Sequence, residues 1–210
     1  MACRKLFTTS NKVGYGVRYV PGMTQISSQH MGGVCLAMVL TWVKEALRYE
    51  ASGKSIALTE HDITGGSLNR IAMLHHSLKF RMRYAREHGL AQEVLDEIKA
   101  DYLYAFGLQE VDQGYAPGGD ISSVAQELLM LAEGYHLMVI CSADSSREHA
   151  FGFRADSSGG KSYFLDPNAG LWEYDDDFEM FRLAGFFIKT NYGDKQYLGG
   201  VFGTSKLEAR

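Results

Sequence analysis

Proline is scarce in this chain, at three residues in 210. That excludes a proline-rich ligand segment and argues against a disordered linker between domains. Cysteine is scarce too: Cys3, Cys35 and Cys141 are an odd number, too few for a disulfide scaffold and too far apart for a zinc knuckle. Free thiols point to a reducing compartment. Neither sign of charge dominates. With 21 basic and 25 acidic residues the net charge is −4, and no field draws the chain to nucleic acid or to anionic lipid. Long hydrophobic runs are missing as well. The longest, residues 34–43, is broken by Thr41 and is too short to span a bilayer. The N-terminus has no apolar signal core. The expectation is a soluble protein with no strong membrane signal and no cleaved signal peptide.

What is present is globular: 46% hydrophobic and 12% aromatic residues over 210 positions, enough for one domain with a proper core. Residues 1–14 are polar and read as a flexible N-terminal tail, and 17–20 as a short extended stretch before Pro21. A helix begins near Val34, apolar all round at its start and polar later, so its N-terminal end is the buried one. Residues 56–66 read as a loop. Ile71, Leu74, Leu78, Met82 and Ala85 keep steps of three and four, which predicts a second long helix closed by His88-Gly89. A third helix is expected over 91–102, a loop over 114–119, and a fourth helix from Asp120 through Ala132.

The second half changes character. Strands are predicted at 136–142, 148–154 and 161–165, the last two joined by the turn-forming run 156–160. A short helix from Asp175–Asp177 to Leu183 follows, with Phe178, Phe181, Phe186 and Phe187 as core. Closing strands are expected at 185–189 and 196–202, and a polar tail at 203–210. Helices first and antiparallel strands after make an α+β fold in one domain, residues 15–202.

The stretch Gln-His-Met-Gly-Gly-Val-Cys-Leu-Ala-Met, from Gln29 to Met38, carries the chemistry. A cysteine in the first turn of a helix faces unpaired backbone N–H groups and the positive end of the dipole, which lower its pKa. Gly32 and Gly33 let a substrate backbone approach the sulfur. Read alone, Cys35 is a small hydrophobe in a packed helix, the commoner fate of a buried cysteine. Gln29, six residues upstream, would present a side-chain amide beside the Cys35 backbone N–H, two donors for the oxyanion of a tetrahedral intermediate.

Of the seven histidines, His149 stands apart. It opens a strand whose hairpin mate ends in Phe-Leu-Asp-Pro-Asn, and folding the hairpin sets residue 149 opposite residues 166–168. Asp166 is then within cross-strand reach of the imidazole. Asn168 is a second candidate for that orienting role, and Asp-Pro-Asn also reads as a simple turn. Cys141 reads as strand packing, and Asp175–Asp177 as a helix start rather than a metal site.

Gln29 with Gly-Gly-Val-Cys35, His149-Ala and Asp166-Pro-Asn resemble, in order, the three active-site blocks of the YopT-like effector cysteine proteases, a papain-like clan. The resemblance implies Cys35 as nucleophile, His149 as base, Asp166 as orienting acid and Gln29 as oxyanion donor. It implies a papain-like fold with the central N-terminal helix packed on an antiparallel sheet, no cofactor and no metal. It implies an effector secreted by a bacterium into the host cytoplasm, acting there on a host protein. Residues 56–119 match nothing in that resemblance and are the expected seat of substrate choice. The same triad would also serve a deamidase, transglutaminase or acyltransferase, and the fold could persist as a non-catalytic binding module.

Overall fold

The computed structural model describes residues 3–7, 35–56, 58, 68–112, 124–142, 148–193 and 201–210. Among them seven strands form one sheet: β1 (Cys3–Phe7), β2 (Leu108–Asp112), β3 (Gly134–Cys141), β4 (Glu148–Ala155), β5 (Ser162–Asp166), β6 (Gly170–Tyr174) and β7 (Val201–Ala209). The order is β1-β6-β5-β4-β3-β7-β2, and every neighbouring pair is antiparallel. The helices are α1 (Cys35–Ala51), α2 (Leu68–Glu87), α3 (Gln92–Ala105), α4 (Val124–Leu128) and α5 (Asp177–Tyr192). Among the described residues no helix is long and apolar enough to cross a membrane.

Strand β4 is the middle of the sheet and is buried on both faces, as its near-continuous apolar sequence requires. Its alternation divides the interior in two. Ala150 faces the cluster built on α1, with Met38, Val39, Trp42 and Val43, and with Leu165 and Leu171 from the neighbouring strands. Phe151 and Phe153 face the other cluster, with Phe164 of β5, Val124 and Leu128 of α4 and Met180, Phe181 and Ile188 of α5. The expected helix-on-sheet packing is therefore present, and a second helix covers the far face.

Gly152 lets α1 come close. A Cβ there would stand 2.7 Å from Cζ3 of Trp42, so the bare backbone seats the indole against the strand. Helix α5 starts where the acidic run indicated: the Asp176 carboxylate caps it by accepting from the Glu179 backbone N–H at 2.7 Å.

Several expectations are corrected. Both tails contribute strands. Residues 3–7 pair with β6, and β7 continues to Ala209 through the stretch read as a polar tail, pairing with both β3 and β2. The polar residues there belong to a strand in which Thr204, Ser205 and Leu207 are buried. The strand expected at 185–189 is the second half of α5. Its aromatic run looks like a strand, but Phe181, Ala184 and Ile188 turn inward at helical spacing. The same geometry leaves Phe178 59% and Phe186 68% exposed, outside the core assigned to them. Helix α4 ends at Leu128, earlier than expected. Strands β2 and β6 were hidden beside turn signals. The extended stretch at 17–20 and the loop at 114–119 lie outside the described residues.

Candidate active site

The site forms where the first residue of α1 meets the first residues of β4. Cys35 opens the helix and is 8% exposed. Its sulfur hydrogen-bonds with the His149 ring and is also reached by the backbone of Ala150 and of Leu36. The Leu36 contact is the helix-terminus effect, an unpaired backbone donor turned toward the sulfur. The Ala150 contact follows from β4 running directly under the start of α1.

His149 and Asp166 meet across the β4–β5 pair. The ladder aligns Gly152 with Leu165 and Phe153 with Phe164, and continuing that register puts His149 opposite Asn168, on the same face as Asp166. Nε2 of His149 lies 2.8 Å from Oδ1 of Asp166, and both side chains are almost wholly buried. With Nε2 engaged, Nδ1 is the ring nitrogen left for Cys35. The turn reading of Asp-Pro-Asn holds at the same time. Asn168 donates its backbone N–H to Oδ1 of Asp166 at 2.8 Å, Ala169 closes the turn onto the Asp166 carbonyl at 3.0 Å, and Gly170 takes φ +136° to enter β6. Pro167 stands at the turn position that its fixed φ suits. The turn thus holds the carboxylate still for the imidazole. The Asn168 side chain stands farther off, its Nδ2 3.5 Å from Nδ1 of His149.

Tyr192, the last residue of α5, completes the surroundings. Its hydroxyl donates to Oδ2 of Asp166 at 2.8 Å and lies 3.2 Å from Nε2 of His149. Its ring stacks on the imidazole with centroids 4.8 Å apart and planes 13° from parallel. Phe151 closes the edge, 4.7 Å from the imidazole centroid.

The electrostatics follow from this packing. Burial alone would push the Cys35 thiol up. The charge and hydrogen bond of His149, with the Ala150 and Leu36 backbone contacts, outweigh burial and bring it below the ordinary thiol value. Burial would likewise lower His149. The Cys35 charge, the hydrogen bonds to Asp166 and Cys35 and the Asp166 charge raise it instead, from 6.5 to about 9. Both shifts run in the direction that favours the thiolate–imidazolium pair over the neutral thiol and imidazole. Cys141 behaves oppositely, with burial and then the Glu148 charge holding its thiol up. Tyr102 of α3, buried at 6% exposure, is near enough for the Cys35 charge to add to burial in raising its phenol.

Iodoacetate should read this out. An anionic reagent gains from the imidazolium, so Cys35 should label in a bell-shaped pH dependence, its falling limb near the His149 value of about 9. At about pH 6, where an ordinary thiol is protonated, peptide mapping should find Cys35 labelled well ahead of Cys141. Rates for the two that rise together with pH would mean no ion pair exists.

Of the four residues expected in the site, Cys35, His149 and Asp166 are brought together, and Gln29 lies outside the described residues. Tyr192 was missed. It falls just beyond a segment read as a strand, and no local signal ties it to a histidine 43 positions away. Among the described residues no three His, Cys, Asp or Glu side chains converge as a metal site requires.

No protein-family model matches the chain, and neither does any curated protein sequence. Among solved structures the chain is similar to the Pseudomonas avirulence protein AvrPphB, at a TM-score of 0.59 and 14% identity over 82% of this chain and 92% of that one. A looser likeness, at a TM-score of 0.30 and 12% identity over 91% of this chain and 84% of that one, is to PatoxP. PatoxP is a cysteine protease-like domain of the Photorhabdus asymbiotica toxin PaTox. The fold assignment rests on the first: the chain has the papain-like fold of AvrPphB, a mixed architecture of helices on an antiparallel sheet.

Proposed function

We propose that this chain is a cysteine endopeptidase that acts as a bacterial effector on a host protein, with Cys35, His149 and Asp166 as its triad and Gln29 as an oxyanion donor. The observation that carries the reading is the single hydrogen-bonded line from the Cys35 sulfur through His149 to the buried Asp166 carboxylate. The papain-like fold shared with an avirulence protein supports the effector part of it.

In this reading the Cys35 thiolate attacks the carbonyl carbon of a peptide bond, and the electron pair of the carbonyl moves onto oxygen. The Cys35 backbone N–H and the Gln29 amide stabilise that oxyanion. As the C–N bond breaks, the His149 imidazolium gives its proton to the departing amine and an S-acyl enzyme remains. Neutral His149 then takes a proton from water, which attacks the thioester and breaks the C–S bond. The acid product leaves and the ion pair is restored. Asp166 keeps the ring oriented and its charged form favoured through both steps. No step calls for a metal or a cofactor.

The test is mass spectrometry of candidate host proteins incubated with the chain, beside a Cys35→Ser control. A new pair of fragments that sum to the substrate plus one water, absent from the control, supports proteolysis. An intact substrate carrying deamidated glutamine, a cross-link or a new acyl group would replace endopeptidase by acyl transfer on the same triad.

A further inference from the structure

Three contacts reach the imidazole and its carboxylate from the C-terminus of α5, and one residue makes them all. The Tyr192 hydroxyl has one proton, and the 2.8 Å contact with Oδ2 of Asp166 takes it. Its oxygen then faces Nε2 of His149 at 3.2 Å as an acceptor. The Nε2 proton is therefore shared between Oδ1 of Asp166 and the Tyr192 oxygen. The phenol ring lies flat on the imidazole and packs edge-on to Phe151, with centroids 5.2 Å apart, so the His149–Asp166 bond has an aromatic roof and an aromatic wall.

We propose that Tyr192 is a positioning residue of the site: its hydroxyl holds the second Asp166 oxygen so that the first points at Nε2, and its oxygen and ring sustain the imidazolium. The inference rests on the thiol-protease reading and adds to it a member from a different layer of the fold. Asp166 is wholly buried, so a second carboxylate oxygen without a donor would be left unsatisfied away from water. Nothing else described at Oδ2 supplies that donor at hydrogen-bond length: Asn168 gives its backbone N–H to Oδ1. The negative end of the phenol dipole is the end nearer Nε2, so its presence favours the charged ring over the neutral one. Helix α5 is thereby coupled to the chemistry, since its last turn sets where the hydroxyl stands.

The experiment compares wild-type, Tyr192→Phe and Tyr192→Leu chains for iodoacetate labelling of Cys35 across pH, with thermal unfolding of each. Tyr192→Phe keeps the ring and its stack on the imidazole, so the end of α5 stays seated. Its alkaline limb should fall by about half a unit to one unit, a threefold to tenfold loss of the paired form near that limb, with a melting temperature somewhat below wild type because one buried Asp166 oxygen loses its donor. Tyr192→Leu, which also removes the stack, should fall further. A Tyr192→Phe limb that superimposes on wild type, or a loss uniform at all pH values, makes Tyr192 a packing residue and overturns the inference. A wild-type chain without a bell-shaped profile overturns the thiol-protease reading itself and this inference with it, and that failure shows before any variant is compared.

Discussion

A Cys35→Ala chain is expected to fold like its parent and to turn over no substrate, a loss on the order of 10⁴-fold or more. The sulfur is one atom on a helix already held by Met38, Val39, Trp42 and Val43, all fully buried. Deleting it removes roughly 1 kcal/mol of packing, and the charged pair that burial disfavours disappears with it. The melting temperature should therefore move by only a few degrees, at about 2–4 °C per kcal/mol for a chain of this size. The second readout is His149. Burial lowers its pKa, and the Cys35 charge is the foremost of the effects that lift it to about 9. With the thiolate gone an imidazolium loses the strongest of the charges that favour it, so the proton leaves at lower pH, with Asp166 and the Tyr192 oxygen left to oppose burial. Nitrogen-15 NMR of the imidazole would follow this directly. Retained turnover would move the nucleophile elsewhere, and an imidazole still titrating near 9 would mean that the sulfur is not its partner.

The site was legible in the sequence to the extent that its parts are local. Cys35 could be placed because a glycine pair, a cysteine and an apolar run mark a buried helix start within a few residues. His149 and Asp166 could be paired because a hairpin with a turn-rich connection fixes its own register to within a residue or two, and the period of two then decides which side chains share a face. Tyr192 lacked any such signal. Its position depends on where α5 ends over the sheet, a fact about tertiary packing that residues 185–189 disguise with a strand-like composition. The Ala150 backbone contact to the sulfur is likewise invisible in a sequence, because the donor is a peptide group that any residue carries.

The fold followed the same division. Long periodic segments gave α1, α2 and α3, and β3, β4 and β5 stood out as apolar runs between turn formers. What escaped were elements whose stability comes from neighbours. Strand β1 exists because it completes an edge against β6, and β7 because it lies between β3 and β2. Polar sequences at the two ends of a chain read as tails until a partner strand is there to satisfy their backbone.

Gly152→Ala is expected to be the most damaging small change in the sheet. The added methyl would stand 2.7 Å and 2.8 Å from Cζ3 and Cε3 of Trp42 and 3.0 Å from Cγ1 of Val39. Neither side chain has anywhere to retreat, since both are fully buried. Nor can the strand withdraw, because Gly152 is paired with Leu137 on one side and Leu165 on the other. Overpacking of this kind costs about 1–3 kcal/mol, which for this chain means a fall of several degrees in melting temperature. Activity should fall more than stability alone accounts for. Gly152 is three positions beyond His149 on β4, and Trp42 is about two turns beyond Cys35 on α1, so a wedge between them pushes the sulfur off the imidazole. Trp42→Phe removes the atoms that clash and forfeits no hydrogen bond to the described residues, among which the indole Nε1 makes none. In a double-mutant cycle the pair Gly152→Ala and Trp42→Phe should therefore be less destabilised than the sum of the two single changes, by more than about 0.5 kcal/mol, with part of the Cys35 labelling at about pH 6 restored. Strict additivity would mean that α1 is not seated on β4 through this contact, and the closeness of Cys35 to His149 would need another cause.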